Sequence, residues 1–187
     1  AELMLNISRI LSKLTLHEDC RAPMSTKPSV QALLGLLQAH ASDLPLVLRT
    51  CFILGNLTTA HDECRVFVLE TAGAIEQLLG LLEQLCEQSF REGEGEEGKA
   101  ESSVDETLVK LIRLIANLAI NEEVGMMVSQ EPSAMLLCRV IESKSLAEQE
   151  ELVLNAVSAI TNLSFYPQPL NAVLHHETIA ELLVPLL

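Results

Sequence analysis

Residues 53–65 read ILGNLTTAHDECR, and this stretch recurs along the chain. The segment 13–21, KLTLHEDCR, repeats nearly its whole order of residues. Two further segments, IANLAINEE at 115–123 and ITNLSFYPQ at 160–168, repeat its first half. Recurrence at a long, regular interval is the sequence signature of an array of stacked structural units. The stretch therefore predicts a repeat protein rather than a fold with a single, non-repeating core.

One position, filled by Asn56 in the quoted stretch, gives the period of the array. We call it the anchor position, and it is occupied by Lys13, Asn56, Asn117 and Asn162. The spacings between these residues are 43, 61 and 45. Two of them match repeats of about 40–47 residues, in which each unit consists of two or three helices. The longer spacing indicates an insertion.

Three kinds of helix are predicted in each unit. A long helix ends at each anchor position, since residues 150–163 place apolar side chains at intervals of three and four. A second long helix with the same periodicity precedes it, and a short helix, as in 63–73, precedes that one. The copies of the second helix are predicted at 30–37, 75–82, 134–141 and 179–187.

The endings LGNLT, IANLA and ITNLS resemble the third-helix signature of armadillo repeats, and ETAGAIEQLLGLL at 70–82 resembles their glycine turn and second helix. The resemblance implies an all-α, right-handed α-solenoid with three helices per repeat, as a fragment of a longer array. HEAT repeats are the nearest structural alternative. The predicted units are a third helix of a truncated repeat at 1–16, repeats at 17–59, 60–120 and 121–165, and a partial repeat at 166–187.

The insertion is predicted at 87–106, where eight residues are acidic and two are basic. Glycines alternate with glutamates there, and Phe90 is the one large apolar side chain. Such a segment buries too little apolar surface to offset the entropy lost on ordering. We therefore expect an acidic disordered loop inside the second complete repeat. Ser102 and Ser103 precede acidic residues and are candidate phosphorylation sites, although a plain solvated loop is the simpler interpretation.

Composition excludes several functional classes. Hydrophobic residues make up 49% of the chain and aromatic residues 3%, which favours packed helices over a β-sandwich. The net charge of −14 argues against nucleic acid as a partner. No apolar run approaches the about 20 residues that a membrane-spanning helix needs. The five cysteines lack zinc-ligand spacing and are expected to be free thiols in a reducing compartment.

No motif in the sequence predicts catalysis, a cofactor or a metal site, and we expect the chain not to be an enzyme. His17 and His61 occupy equivalent repeat positions, as do Cys20 and Cys64. This equivalence predicts structural roles, in a turn for the histidines and in the core for the cysteines. The adjacent pair at 175–176 is interpreted as two surface histidines.

The candidate binding residues form what we call the polar ladder, three rows of side chains on the third helices. The anchor row is Lys13, Asn56, Asn117 and Asn162; the row four residues earlier is Arg9, Phe52, Arg113 and Ser158; the row three residues before that is Asn6, Arg49, Lys110 and Asn155. These twelve positions hold five of the chain's 12 basic residues and no acidic one. The sequence therefore predicts a basic strip on an acidic protein.

In armadillo proteins these helices line a concave groove, so the resemblance implies a site for protein partners. The asparagines would hydrogen-bond the backbone of an extended peptide, and the basic side chains would favour acidic residues on it. The alternative is that the asparagines join neighbouring repeats and the charges are only solvated. Nuclear-import receptors of this family carry Trp four residues before the anchor, where this chain has none, so a basic localisation signal is not the expected ligand.

The segments VLRTCFILGNLT at 47–58, KLIRLIANLAI at 110–120 and ELVLNAVSAITNLSFY at 151–166 resemble more closely an armadillo protein of motile cilia and sperm flagella. This resemblance implies a non-enzymatic adaptor. Its expected role is cilium or flagellum assembly, as a cargo adaptor for intraflagellar transport of axonemal radial spokes, in the cytoplasm and the cilium. The expected partners are radial-spoke and intraflagellar-transport proteins, with no nucleic acid and no membrane. Two alternatives stay open: a permanent structural component of the axoneme, and a regulator of small GTPases, which some armadillo proteins are.

Overall fold

A computed structural model describes residues 2–93, 103–129, 133–166, 181, 183 and 184 of the chain. Ten α-helices and no strand occur in this part, which confirms the predicted all-α class. In chain order the helices are α1 (Glu2–Leu14), α2 (Glu18–Met24), α3 (Lys27–Ala39), α4 (Leu44–Ala60), α5 (Asp62–Leu69), α6 (Ala74–Gly93), α7 (Ser103–Leu118), α8 (Glu122–Val128), α9 (Ser133–Ser143) and α10 (Glu150–Leu163).

The helices follow one another in the predicted order of short, long and long. The short helices are α2, α5 and α8, the second helices are α3, α6 and α9, and the third helices are α1, α4, α7 and α10. The fourth predicted second helix, at 179–187, falls mostly outside the described residues, as do the partial repeat at 166–187 and the histidine pair at 175–176.

Several helices begin at side chains that satisfy the free N–H groups of a first turn. Thr26 accepts a hydrogen bond from the backbone N–H of Ser29 at 3.4 Å, and Asp43 accepts one from that of Leu46 at 3.3 Å. Asn121 caps α8 in the same way. Gly73 has a φ of 74°, a left-handed conformation that glycine adopts without strain in the turn before α6. Local sequence therefore fixes where these helices start.

The third helices lie side by side, α1 against α4, α4 against α7 and α7 against α10. Leu54 and Leu57 of α4 and Leu111 and Leu114 of α7 are fully buried, within one continuous aliphatic core. Burying such side chains is the main favourable term in folding, at about 1.5–3 kcal/mol each. None of the helices in the described part is long and apolar enough to cross a membrane.

In the turns after the third helices, an arginine or a tyrosine side chain donates a hydrogen bond to a backbone carbonyl near the end of the preceding helix. The guanidinium groups of Arg21 and Arg65 donate to the backbone carbonyls of Thr15 and Thr58, at the ends of the preceding third helices. After α7 the equivalent place holds Gly125, and a Cβ there would overlap the ring of Tyr166. The hydroxyl of that tyrosine donates to the carbonyl of Ile120 at 3.0 Å, so an aromatic side chain replaces the arginine.

The histidines of these turns and Cys64 lie where the repeat equivalence predicts, whereas Cys20 is not part of the described core. His17 and His61 immediately precede α2 and α5, in the turns between units. Cys64 is fully buried and Cys20 is half-buried.

The structure contradicts the prediction that the whole segment 87–106 is a disordered loop. Residues 87–93 continue α6 and residues 103–106 begin α7, so both ends of the segment 87–106 are helical rather than disordered. Phe90 is buried in the core, and its ring centre lies 4.2 Å from the guanidinium carbon of Arg139. The acidic composition of the segment gives no indication of this packing. Residues 94–102, including Ser102, lie outside the described residues.

A buried polar network explains why the second helical end of the segment 87–106, at residues 103–106, is ordered. Asp105 is 5% exposed, and its carboxylate accepts hydrogen bonds from Ser89, Lys144 and Gln149. The Lys144 Nζ–Asp105 Oδ2 distance is 3.0 Å, and both side chains are 8% exposed. A charge so far from water needs its partners in place, since breaking a buried pair costs several kcal/mol. The network therefore joins α6 and α7 to the segment between α9 and α10.

Candidate partner-binding face

The polar ladder lies on the adjacent helices α1, α4, α7 and α10, and we call the surface that they form the third-helix face. Contacts between neighbouring helices place ladder residues together, since the Nζ of Lys110 on α7 lies 5.6 Å from the ring centre of Phe52 on α4. The rows nevertheless differ sharply in what their side chains contact. The asparagines bond within the solenoid, whereas most of the basic residues do not.

The anchor asparagines join each third helix to the one before it. The Nδ2 of Asn117 donates to the backbone carbonyl of Gly55 at 3.0 Å and to the Oγ1 of Thr59 at 2.8 Å. The Nδ2 of Asn162 donates to the carbonyl of Ala116 at 2.8 Å. Gly55 and Ala116 are each the residue before the preceding anchor. The same bond is therefore made in two successive repeats.

Asn56 and Asn155 complete this set. The Nδ2 of Asn56 donates to the Oγ1 of Thr15 at 3.1 Å, and that of Asn155 donates to the carbonyl of Val109 at 3.3 Å. Asn56 is only 3% exposed. It is therefore inaccessible to a partner, and its role lies between repeats. Asn117, Asn155 and Asn162 are half-buried, and their Oδ1 atoms make no hydrogen bond with the described residues.

Four of the five basic ladder residues have no ion-pair partner among the described residues: Arg9, Lys13, Arg49 and Arg113. Arg9 and Lys13 are exposed, whereas Arg49 and Arg113 are half-buried. The Nη1 of Arg9 donates to the Oδ1 of Asn6 at 3.0 Å, which leaves its other N–H groups free to donate.

Lys110 is the exception among the basic residues. Its Nζ donates to the Oε1 of Glu151 on α10 at 2.7 Å, in addition to its contact with Phe52. Ser158 is exposed, but its hydroxyl donates to the carbonyl of Leu154 in its own helix. Free positive charge on the face is therefore concentrated on α1, on Arg49 of α4 and on Arg113 of α7.

A small pocket of about 130 Å³ opens where α1, α4 and the start of α7 meet. Arg9 and Arg49 contribute the basic part of its wall, and Glu106 contributes one carboxylate. Leu5, Leu44, Pro45, Leu48, Ser103 and Thr107 complete the lining. The pocket therefore combines two guanidinium groups with an aliphatic wall.

Three buried thiols of the described residues are unreactive at neutral pH. Burial raises the pKa of Cys51 and of Cys86 to about 12 and that of Cys138 to about 11, so these thiols stay protonated at neutral pH. A protonated thiol is neither a nucleophile nor a metal ligand. No group of three or more His, Cys, Asp or Glu side chains within the described ranges could hold a metal ion.

Three side-chain partners of ladder residues were not predicted from the sequence: Thr15, Thr59 and Glu151. Thr15 follows the anchor Lys13 by two residues, as Thr58 follows Asn56, and this recurrence could have marked it as a contact between repeats. Glu151 carried no such signal, because its contact with Lys110 spans 41 residues of sequence. Only the packing of α7 against α10 brings these two charges together.

The described helices thus form an all-α, armadillo-like solenoid, with a face whose asparagines join the repeats and whose arginines make no ion pair with the described residues. The chain is similar to armadillo repeat-containing protein 2, with 39% identity to the protein of Mus musculus over 192 residues, 37% to that of Homo sapiens over 194 and 36% to that of Bos taurus over 193.

These alignments cover 100%, 97% and 97% of this chain and 22% of each relative. The chain therefore spans less than a quarter of the length of the proteins it resembles. No family model and no solved structure matches the chain significantly.

Proposed function

We propose that this chain is a protein-interaction scaffold that binds an extended, acidic segment of a partner across the third-helix face. The observation that supports this most is the charge distribution. The chain as a whole carries −14, yet the ladder holds five basic residues and no acidic one. A cluster of basic side chains gives this face a local positive potential, which attracts a partner of opposite charge.

The geometry also supports the proposal, because two arginines of the face form no ion pair with the described residues. Arg49 and Arg113 are half-buried and have no ion-pair partner among the described residues, so a carboxylate would meet partly desolvated guanidinium groups. Charge-assisted hydrogen bonds to such groups are roughly twice as strong as neutral ones. The Oδ1 atoms of Asn117 and Asn162 accept no hydrogen bond from the described residues and can in addition accept one from a backbone N–H of the same segment.

Reversing charge on the face tests the scaffold proposal. The double variant Arg49→Glu with Arg113→Glu is immobilised beside wild type, and the proteins captured from a ciliary extract are quantified by mass spectrometry. The matched control, Lys27→Glu with Arg91→Glu, makes the same charge change at two exposed residues outside the ladder. We expect proteins captured by wild type and the control to be lost from the face variant. Equal capture by all three would end the proposal.

The finer role that we propose is that of an adaptor in cilium or flagellum assembly, carrying radial-spoke components during intraflagellar transport. Its support is the resemblance of the third-helix segments to an armadillo protein of motile cilia. Extraction of isolated cilia with increasing salt tests this role, because a transport adaptor belongs to the soluble matrix. Retention on the axoneme after high-salt extraction would instead support the permanent structural component.

A further inference from the structure

We propose that the pocket between α1, α4 and the start of α7 is the specificity subsite of the third-helix face. It would take an acidic side chain and, two residues away in the same extended segment, an aliphatic one. This inference rests on the proposed scaffold function and adds which residues of the partner are read. Three observations carry it: the shape of the pocket, its charge and its aliphatic wall.

The shape limits what can enter. The pocket has a volume of about 130 Å³ and lies between three helices that belong to different repeats. A cavity of this size admits single side chains of an extended segment but not a folded element. A partner therefore has to approach as an extended segment that inserts single side chains. Such recognition by alternate side chains is a common mode for extended peptides.

The charge selects a carboxylate. Arg9 and Arg49 bring two positive charges to the lining, and Glu106 brings one negative charge, so the pocket is net positive. Arg49 has no ion-pair partner among the described residues, although it is half-buried. The contact of Arg9 with Asn6 orients its guanidinium without neutralising it. A planar guanidinium matches a carboxylate with two parallel hydrogen bonds, a geometry that lysine does not offer.

The aliphatic wall supplies the second element of recognition. Leu5, Leu44 and Leu48 line the pocket beside the two arginines, and each is half-buried rather than covered by another repeat. Covering them with an aliphatic side chain removes apolar surface from water. In an extended segment the side chains two residues apart lie on the same side. The preferred sequence therefore has a leucine, isoleucine or methionine two residues from a glutamate or aspartate.

A selection experiment tests the subsite without knowledge of the natural partner. A phage-displayed library of random peptides is selected on the immobilised wild-type chain, and the enriched peptides are synthesised and measured by fluorescence anisotropy. We expect the enriched sequences to share the acidic and aliphatic pair. Replacing their acidic residue by its amide, and replacing Arg49 by glutamine, should each weaken binding about tenfold or more, as loss of a charge-assisted hydrogen bond does.

A double-mutant cycle shows whether the two groups meet. If they do, Arg49→Gln has little further effect on a peptide that already carries the amide. Arg9→Gln, at an exposed position, repeats the test without risk to the core, and Glu106→Gln is expected to strengthen binding because it removes the one acidic group from the lining.

The outcomes separate this inference from the scaffold function. The subsite is overturned if no peptide is enriched, if enriched peptides lack the acidic residue, or if Arg49→Gln and Arg9→Gln leave their affinity unchanged. Peptides that depend on Arg113 but not on Arg49 or Arg9 would preserve the third-helix face as a binding surface and refute the pocket as its subsite. Melting curves of each variant, followed by circular dichroism, establish that the fold is intact.

Discussion

The asparagines and the basic residues of the polar ladder lie on the same four helices but make opposite kinds of contact. Each asparagine of α4, α7 and α10 in the ladder donates to the third helix before it or, for Asn56, to Thr15 directly after that helix. Arg9, Lys13, Arg49 and Arg113 have no ion pair with any described residue. Residues that the sequence groups into one surface thus separate into those that hold the repeats together and those available to a partner.

This difference explains why one row is repetitive and another is not. Every repeat has to be joined to its neighbour, so the anchor position holds asparagine at three of its four sites. The row four residues earlier is Arg9, Phe52, Arg113 and Ser158, a different side chain in nearly every repeat. A solenoid is stabilised by equivalent interfaces between neighbours, whereas recognition of one partner needs a different contact in each repeat. Repetition therefore indicates structure, and its absence marks candidate recognition sites.

The largest expected effect on stability is that of Asn56→Ala. Asn56 is 3% exposed, and removing its amide breaks the bond with the fully buried Thr15. We expect the free energy of unfolding to fall by about 1–3 kcal/mol, the usual cost of a lost buried hydrogen bond. Urea denaturation measures the change. Asn6→Ala is the matched control, since Asn6 is exposed and contacts only Arg9 of its own helix. Equal stability of the two variants would refute a joining role for the anchor asparagines.

A smaller loss is expected for Asn162→Ala. The residue is half-buried, so water can partly replace the bond of its Nδ2 to the carbonyl of Ala116. A decrease of about 1 kcal/mol in the free energy of unfolding is expected, near the net value of a typical hydrogen bond. Ser158→Ala on the same helix serves as the control, because within the described part of the chain that hydroxyl bonds to the carbonyl of Leu154 in its own helix. A larger loss for Ser158→Ala than for Asn162→Ala would reverse the comparison.

Much of the fold could be predicted from the sequence because the same short helix ending recurs at a regular spacing, although one copy alone would be a weak indication. The endings at Asn56, Asn117 and Asn162 predict three third helices, and α4, α7 and α10 end within a few residues of these positions. The ends of the insertion could not be predicted in this way. Ser89 and Asp105 are polar, and only their bonds within a network that includes Lys144 explain why they are buried.

The candidate site was predicted as a set of residues but not as a set of contacts. Alignment of the repeats places Arg49, Arg113 and the asparagines on one face, since residues three and four apart share a side of a helix. Whether a side chain there is free depends on the neighbouring helix, which lies more than 40 residues away in sequence. The sequence therefore left the roles of the asparagines open, and the distances assign their amide groups to the solenoid.

The smallest effect on the free energy of unfolding is expected for Lys110→Met. Lys110 contacts both Phe52 of the ladder and the carboxylate of Glu151. Its partner Glu151 is 57% exposed, and exposed ion pairs contribute about 0–1 kcal/mol. A double-mutant cycle with Glu151→Gln isolates the coupling between the two charges, and raising the salt concentration should reduce it. Asn162→Ala, measured in parallel, should be insensitive to salt. Coupling well above 1 kcal/mol would place Lys110 with the asparagines, as a residue that joins α7 to α10 rather than one open to a partner.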